Sequence, residues 1–152
     1  METKRFRLKI ATWTFVREPG QPSPRKLDSP EAVVELARDL LRDCDDDKEH
    51  FCVILLNAQN HYLMAHLVST GTQSSTLVHP PEVLGPALRE GAASLILTHN
   101  HPSGDPTPSR EDTRLTRQLV EAAQLMDLRI HDHVIIGSGS QAWVSFATRG
   151  LM

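Results

Sequence analysis

The sequence predicts an α/β domain, because segments with the apolar period of strands alternate along it with segments of helical period. The chain has 152 residues, and at that length folding can bury about 68–70% of the surface of the unfolded chain. A core can therefore form without disulfide bonds. The two cysteines, Cys44 and Cys52, form no Cys-x-x-Cys pair and are typical of buried thiols in a reducing compartment.

The balance of charge argues against a basic nucleic-acid module. Lys and Arg number 16 against 19 Asp and Glu, for a net charge of −3, whereas non-specific binding to nucleic acid depends on a strong positive field. No apolar run approaches the roughly 20 residues of a membrane span, and the alternation of basic and apolar residues at 1–15 is not that of a signal peptide. We therefore expect a cytoplasmic protein with no membrane association.

Residues 1–28 are predicted to form an N-terminal strand and a proline-rich arm. Phe6, Leu8 and Ile10 alternate with other residues, which is the period of a half-buried strand. The prolines and glycine at 19–24 are too closely spaced for a regular element, so the arm is either a surface loop or a segment that binds a partner. The strand and the arm could pair with a second copy of the chain, which would give a homodimer.

Residues 29–152 are predicted to form the main domain. Ser29 and Pro30 suit the start of a helix, and its apolar stripe continues to Leu41. Apolar runs separated by a short polar turn predict a hairpin of two strands. In chain order we expect a helix at 30–41, strands at 51–56 and 62–68, a helix at 81–89, a strand at 92–98, a helix at 109–126, and strands at 133–136 and 143–146.

A pair of histidines follows the predicted strand at 92–98. His99 and His101 are two residues apart, so on an extended backbone both imidazoles project to the same side. Asp112 lies in the first turn of the next predicted helix, which the intervening loop can fold back over the strand end. Two imidazoles and one carboxylate with an open fourth position are the ligand set of a catalytic zinc ion. Alternatively, Ser109 and Asp112 form only a capping box.

The segment THNHPSGDPTPSRED at 98–112 resembles the signature of RadC-like proteins. Within it, the spacing of His99, His101, Ser109 and Asp112 resembles the JAMM motif of the JAB (MPN) metalloprotease superfamily. The resemblance covers most of the chain after residue 28 through three further segments: STGT at 69–72, HPPEV at 79–83 and DHVIIG at 132–137. It implies a cytidine-deaminase-like three-layer α/β/α sandwich with a mixed sheet, and one zinc ion held by His99, His101 and Asp112.

The resemblance also implies a zinc-dependent hydrolase that acts on an amide or isopeptide bond. Glu49, just ahead of a predicted strand, matches the position of the family's general base, although it could instead be a solvated charge that closes an acidic run. Glu35 and Glu90 are weaker alternatives. In the implied mechanism Glu49 takes the proton of a zinc-bound water and passes it to the leaving amine. The Ser109 Oγ donates a hydrogen bond to the oxyanion.

A second spaced pair, His131 and His133, could form a rival metal site. The Asp132-His133 dipeptide matches the family's own Asp-His, however. We therefore expect His133 to support the first site from behind or to satisfy strand backbone, and His131 to lie at the surface. The other histidines lack a partner at ligand spacing and are expected at the surface or at strand edges: His50, His61, His66 and His79.

Three functional classes follow from these observations. The complete set of ligands and serine favours a hydrolase with a peptide or protein substrate over a catalytically silent MPN-type binding module. The RadC name implies an association with DNA repair, but the net charge disfavours a nucleic-acid partner, and the basic cluster at residues 4–9 is more simply a solvated strand face. The sequence has no His-x-Glu and no Pro-Cys-x-x-Cys motif, which argues against a deaminase.

Overall fold

A computed structural model describes residues 25–71 and 78–152 of the chain and shows a five-stranded sheet with helices on both faces. The predicted α/β class is confirmed. The strand predicted around residues 6–10 and the proline-rich part of the arm lie outside the described residues. The helices are α1 (Pro30–Leu41), α2 (Pro80–Arg89) and α3 (Arg110–Leu125), and the strands are β1 (His50–Leu56), β2 (Tyr62–Thr70), β3 (Ser94–His101), β4 (Arg129–Gly137) and β5 (Trp143–Ser145).

The sheet is mixed, with the strand order β2-β1-β3-β4-β5. β3 and β4 are parallel neighbours, whereas the other three pairs are antiparallel. Both parallel strands therefore end at the same edge of the sheet, and α3 follows β3 from that edge. In open α/β sheets this carboxyl edge is where ligands bind. The register places His99 opposite Phe51 on one side, and His133 opposite Leu97 on the other side of β3.

The side chains of β1 show that the sheet is covered on both faces. Phe51 and Val53 pack in one core with buried side chains of α2 and α3. Cys52 and Ile54 point the other way and pack in a second core with α1. All seven residues of this strand are buried, and each large apolar side chain contributes about 1.5–3 kcal/mol on burial. The two cores on opposite faces make the arrangement a three-layer α/β/α sandwich.

The helix α1 begins where the sequence predicts. The Ser29 Oγ accepts a hydrogen bond from the Ala32 N–H at 3.2 Å. Pro30 is the first residue of the helix, a position at which a backbone N–H would have no acceptor within the helix, so its absence costs no hydrogen bond. The end of the predicted arm lies against the domain: Leu27 is buried beside α1, and its N–H donates to the Asn60 carbonyl at 2.9 Å. No helix in the described part of the chain is long and apolar enough to cross a membrane.

Strands β1 to β4 all extend beyond the predicted ranges, most of all at the end of β3 and the start of β4. β3 continues through His101, where a loop is predicted, and β4 begins at Arg129 rather than at His133. Hydropathy misses these ends because most of their residues are polar and the buried Ile130 stands alone among them, whereas the strands are defined by backbone pairing with their neighbours. The prediction that His50 lies at the surface or at a strand edge is also wrong. His50 is 5% exposed and belongs to β1, which has a neighbouring strand on each side.

Candidate metal centre

Three side chains converge at the carboxyl end of β3. His99 and His101 are alternate residues of this strand, so their rings lie on the same face of the sheet, and Asp112 lies in the first turn of α3. The two Nε2 atoms are 3.0 Å apart. The Nε2 of His99 lies 3.2 Å from one carboxylate oxygen of Asp112, and the Nε2 of His101 lies 3.3 Å from the other. The structure thus brings together the three residues predicted to hold a metal.

These distances suit a tetrahedral zinc ion. With zinc–ligand distances of about 2.0–2.1 Å, neighbouring ligands of a tetrahedral site are about 3.3 Å apart, close to the three separations observed. The donor set is compatible with the same ion, because lone pairs of two imidazoles and a carboxylate oxygen at these distances repel one another unless a proton or a metal cation lies between them. Within residues 25–71 and 78–152, His99, His101 and Asp112 form the one group of His, Cys, Asp or Glu side chains close enough together to hold a metal ion. The group fits one zinc ion with a fourth position open.

Asp112 is both a candidate ligand and one half of a capping box. Its Oδ2 accepts a hydrogen bond from the Ser109 N–H at 2.7 Å, and its own N–H donates to the Ser109 Oγ at 3.0 Å. The two interpretations of this residue are therefore compatible, since the capping box holds the carboxylate over the histidines. Burial by itself would raise the pKa of Asp112, but hydrogen bonds with His101, His99 and the Ser109 N–H lower it well below its ordinary value.

The backbone determines which nitrogen of His101 faces the site. The Nδ1 lies 2.9 Å from the Asp105 carbonyl oxygen, which can only accept, so this nitrogen carries the proton of the neutral ring. In the neutral ring the Nε2 then presents a lone pair to the site, whereas in the protonated ring this nitrogen donates to Asp112. Burial lowers the pKa of His101, but its hydrogen bonds to Asp112 and Asp105 and the charges of Asp112 and Glu49 outweigh burial and raise it. The same negative surroundings favour a bound metal cation.

Glu49 lies beside this group, immediately before β1. Glu49 is only 8% exposed. Its negative charge is among the causes that raise the pKa of His101, so the carboxylate lies near that ring. The antiparallel pairing of Phe51 with His99, continued by two residues, also brings Glu49 opposite His101. Glu49 is therefore buried near His101 and is not among the solvated charges of the acidic run that precedes it.

Asn100 connects the segment around Glu49 to the strand of the two histidines. It lies between them in sequence and points to the opposite face of the sheet. Its Oδ1 accepts from the His50 N–H at 2.8 Å, and its Nδ2 donates to the Lys48 carbonyl at 2.8 Å and to the Ser138 Oγ at 2.9 Å. The residues on both sides of Glu49 are thus held against β3. No sequence pattern points to this role.

Ser109 is the N-cap of α3 and is exposed to solvent. Its Oγ accepts the hydrogen bond from the Asp112 N–H. Among the described residues its hydroxyl proton has no acceptor, so it can be donated to another group. Capping uses a lone pair of the hydroxyl and the predicted oxyanion contact uses its proton, so the two roles do not compete.

The loop after His101 folds back against the end of β4. The Ser138 N–H donates to the His101 carbonyl at 3.0 Å, and the Ser140 Oγ donates to the Gly104 carbonyl at 2.9 Å. A Cβ at Gly137 would lie 2.2 Å from that same Gly104 oxygen, so the close approach requires glycine. These contacts hold the loop so that α3 starts over the end of β3.

The second histidine pair forms no comparable group in the described residues, but one of its members touches the first. His133 is fully buried, and its Nε2 lies 2.8 Å from the Nδ1 of His99. Of the two roles predicted for His133, the structure shows contact with the site from behind. Its other nitrogen lies 2.6 Å from the Thr116 hydroxyl, a residue that sequence reasoning missed. His131 is partly exposed.

The same residues place the chain among known proteins. Residues 27–151 match the model of the RadC-like JAB domain family, and this span includes every residue of the site. The chain belongs to that family. The relatives include UPF0758 proteins of Desulforamulus reducens (47% identical over 123 residues, covering 81% of this chain and 52% of the relative), Geotalea uraniireducens (45% over 130 residues, 86% and 55%) and Symbiobacterium thermophilum (50% over 104 residues, 68% and 44%).

The predicted family is therefore confirmed, and the mixed sheet between two helical layers is that of a JAB domain. This RadC-like JAB domain spans about half the length of the relatives it matches. The superfamily includes metalloproteases, but the name UPF0758 states no activity. The reaction of the RadC-like JAB domain has to be inferred from its site.

Proposed function

We propose that this RadC-like JAB domain is a zinc-dependent hydrolase that cleaves an amide or isopeptide bond. One observation carries the proposal: the Nε2 atoms of His99 and His101 and the carboxylate of Asp112 lie 3.0–3.3 Å apart, with the buried Glu49 beside them. Three protein ligands and one open position are typical of catalytic zinc sites, whereas structural sites have four protein ligands. Membership of a family related to metalloproteases supports the same function.

Glu49 is the proposed general base. When bound, zinc lowers the pKa of a coordinated water toward about 7 and polarises the carbonyl to be attacked. Glu49 takes the proton of the attacking water and passes it to the leaving nitrogen. Such transfer by a positioned side chain contributes about 10²–10⁴-fold to a rate. The hydrogen bonds of Asn100 on both sides of Glu49 keep this carboxylate near the metal ligands.

Ser109 is the proposed donor to the developing oxyanion. Its hydroxyl proton is available because the cap of α3 uses only a lone pair of the oxygen. The N-terminus of α3 also carries a partial positive charge, which stabilises negative charge developing close to it. Loss of one oxyanion donor typically slows an acyl-transfer reaction about 10²–10³-fold.

A peptide or a protein is the proposed substrate class, since the bond to be cleaved is an amide. His101 is partly exposed and Ser109 is exposed, so the open coordination position is accessible from solvent. Two other functions make a contrary prediction. An MPN-type binding module, or a DNA-repair-associated protein without hydrolase activity, would leave all such bonds intact even with zinc bound.

The test uses zinc-loaded protein and a panel of peptides and isopeptide-linked peptides, with products identified by mass spectrometry. We expect cleavage by the wild type and a loss of about 10²–10⁴-fold in Glu49→Gln, with zinc content unchanged. Glu90→Gln, which removes a weaker candidate at the end of α2, is the matched control and should retain full activity. Wild-type activity in Glu49→Gln would reject the mechanism. Absence of cleavage by the fully zinc-loaded wild type would favour the binding module.

A further inference from the structure

A chain of contacts leads from the ring of His99 to the backbone of Asp112. The Nδ1 of His99 lies 2.8 Å from the Nε2 of His133, and the Nδ1 of His133 lies 2.6 Å from the Oγ1 of Thr116. The same hydroxyl lies 2.6 Å from the carbonyl oxygen of Asp112, one turn earlier in α3. The chain therefore begins at one candidate ligand and ends at another. Its two middle members, His133 and Thr116, are fully buried.

The direction of every hydrogen bond in this series of contacts follows from its last member, the Asp112 carbonyl. The Asp112 carbonyl can only accept, so Thr116 donates its single hydroxyl proton to that oxygen. The Thr116 oxygen must then accept from the Nδ1–H of His133. Complete burial of the His133 ring disfavours its charged form, so its Nε2 has a lone pair. That lone pair accepts the proton on the Nδ1 of His99.

In this tautomer the Nε2 of His99 presents a lone pair to the site, as a metal ligand must. The other tautomer would direct an Nε2 proton at the metal position and would leave the Nε2 of His133 without a donor. The Asp105 carbonyl fixes the tautomer of His101 in an equivalent way. Both histidine ligands thus have an acceptor behind the ring, and for His99 the acceptor is a second imidazole.

Aromatic packing holds this second imidazole in place. Phe146 stacks on the His133 ring with 4.7 Å between centroids, and Phe51 meets it edge-on at 5.5 Å. Phe51 also stacks on His99 at 5.7 Å. Because the two histidines share this neighbour, neither ring can rotate without displacing buried aromatic side chains. The acceptor atom of His133 is therefore fixed before a metal binds.

We propose that His133 and Thr116 are positioning residues that hold His99 in its metal-binding tautomer. The inference rests on the zinc site of the proposed function and not on hydrolysis, so it can be tested without a substrate. Zinc-bound histidines generally donate their other N–H to a carboxylate, a backbone carbonyl or a water. Here a neutral imidazole accepts that proton, and a threonine fixes the imidazole in turn.

Competition with a chromophoric chelator for zinc tests the role of His133. His133→Phe keeps an aromatic ring between its neighbours but removes the acceptor, and we expect it to weaken zinc binding about 10–100-fold. His133→Gln returns an acceptor near the original Nε2 position and should recover most of that loss. His131→Phe, two residues earlier on the same strand, is the matched control and should bind zinc within about twofold of the wild type.

A pair of threonine variants tests the other end of the chain. Thr116→Val keeps the shape of the side chain and removes the hydroxyl, so the Nδ1–H of His133 loses its acceptor. Thr116→Ser keeps the hydroxyl. We expect weaker zinc binding in the valine variant than in the serine variant, by a smaller factor than in His133→Phe. Equal affinities of the two variants would remove Thr116 from the proposal.

A measurement on the unaltered chain covers the case in which a variant does not fold. Nitrogen-15 spectra of the histidine rings in the zinc-loaded protein should show a protonated Nδ1 and a metal-bound Nε2 at His99, and a protonated Nδ1 with a bare Nε2 at His133. Zinc bound through the Nδ1 of His99, or wild-type affinity in His133→Phe, would overturn the inference and leave the proposed hydrolase intact. A wild-type chain that binds no zinc would overturn both.

Discussion

Two tripeptides of similar pattern lie on neighbouring parallel strands, and only one of them forms the candidate metal centre. His99-Asn100-His101 ends β3, and His131-Asp132-His133 lies in the first half of β4. In the first tripeptide the two histidines share a face of the sheet and the middle residue points to the other face. In the second, the register against β3 shifts between Ile130 and His133, so alternation does not place His131 and His133 on one face. Sequence spacing alone does not distinguish the two.

The register of the strands explains the difference. His133 pairs with Leu97, whereas His99 pairs with Ile135, so the second tripeptide lies farther from the carboxyl edge of the sheet. Only the first tripeptide reaches the edge where α3 begins and Asp112 supplies a third ligand. His133 is enclosed behind His99 instead. A His-x-His pair therefore indicates a metal site only where a further ligand can reach the same edge.

The middle residues of the two tripeptides have similar roles. Asn100 holds the residues on both sides of Glu49 through the hydrogen bonds described above. Asp132 accepts hydrogen bonds from the Ser145 hydroxyl at 2.6 Å and the Ala147 N–H at 2.9 Å, and so holds β5 and the residues after it. Each tripeptide thus has at least one histidine that belongs to the site or contacts it, and a middle residue that fastens another segment of the chain.

Removal of a ligand from the first tripeptide should give the largest difference between the two. Zinc sites with four ligands have binding free energies of about 10–16 kcal/mol, so one ligand contributes roughly 3 kcal/mol. We therefore expect His99→Ala to weaken zinc binding more than about 100-fold, as measured by chelator competition. An equal loss in His131→Ala, the matched change in the second tripeptide, would show that the two pairs are equivalent.

Removal of the middle residue of the first tripeptide should lower stability. Asn100→Ala leaves the His50 N–H and the Lys48 carbonyl without their partner. An unpaired buried polar group costs about 1–3 kcal/mol, and we expect a loss of that size in the free energy of unfolding, measured by urea denaturation of the metal-free protein. Asp132→Ala should give a loss of similar size. Wild-type stability in Asn100→Ala would mean that this residue does not fasten β1.

In the metal-free protein, the first histidine pair and the second should each contain a ring with a shifted pKa, and the two shifts should have opposite signs. Burial lowers the pKa of His101, but its acidic neighbours outweigh burial and raise it above 6.5. Burial and then the charge of Arg129 lower the pKa of His131 below 6.5. The contribution of His101 to the stability of the folded state is therefore fully present below pH 6.5, and it is lost as the pH rises through the raised pKa of this residue. His131 lowers stability as the pH falls below 6.5, because the unfolded chain takes up the proton first.

An NMR titration of the ring protons checks this prediction. We expect the midpoint of His101 above 6.5 and that of His131 below 6.5, and zinc should abolish the titration of His101 but not that of His131. Coincident midpoints would mean that the negative surroundings of His101 are absent in solution.

The smallest effect should come from His131→Ala. The ring is partly exposed and belongs to no metal-holding group in the described residues. We expect zinc affinity to be unchanged and the free energy of unfolding to shift by no more than about 0.5 kcal/mol. A loss of zinc affinity above about tenfold would instead assign the second tripeptide to the metal centre.

The local sequence predicts most elements of the fold, but not their ends or their order in the sheet. α1 is predicted down to its cap because Ser29 and Pro30 act within one turn of the helix. The end of β3 at His101 and the start of β4 at Arg129 are set by pairing with residues far along the chain. The order of strands depends on the same long-range contacts and leaves no local pattern.

The candidate site divides in the same way. The histidine pair and Asp112 are predictable because strand alternation and a capping box place them within fourteen residues of one another. Glu49 is not predictable from composition, since its acidic neighbourhood is that of a solvated turn, and it was assigned by family resemblance. Its burial follows from the register of β1 against β3. Thr116 has no signal, because its contact with His133 joins a helix to a strand.

The central claim is that one zinc ion binds between the first tripeptide and α3, and anomalous X-ray diffraction from zinc-loaded crystals tests it most directly. We predict one peak per chain at the zinc edge, about 2.0–2.2 Å from the Nε2 atoms of His99 and His101 and from a carboxylate oxygen of Asp112. Zinc ligated by His131 or His133, or bound away from Asp112, would contradict that claim.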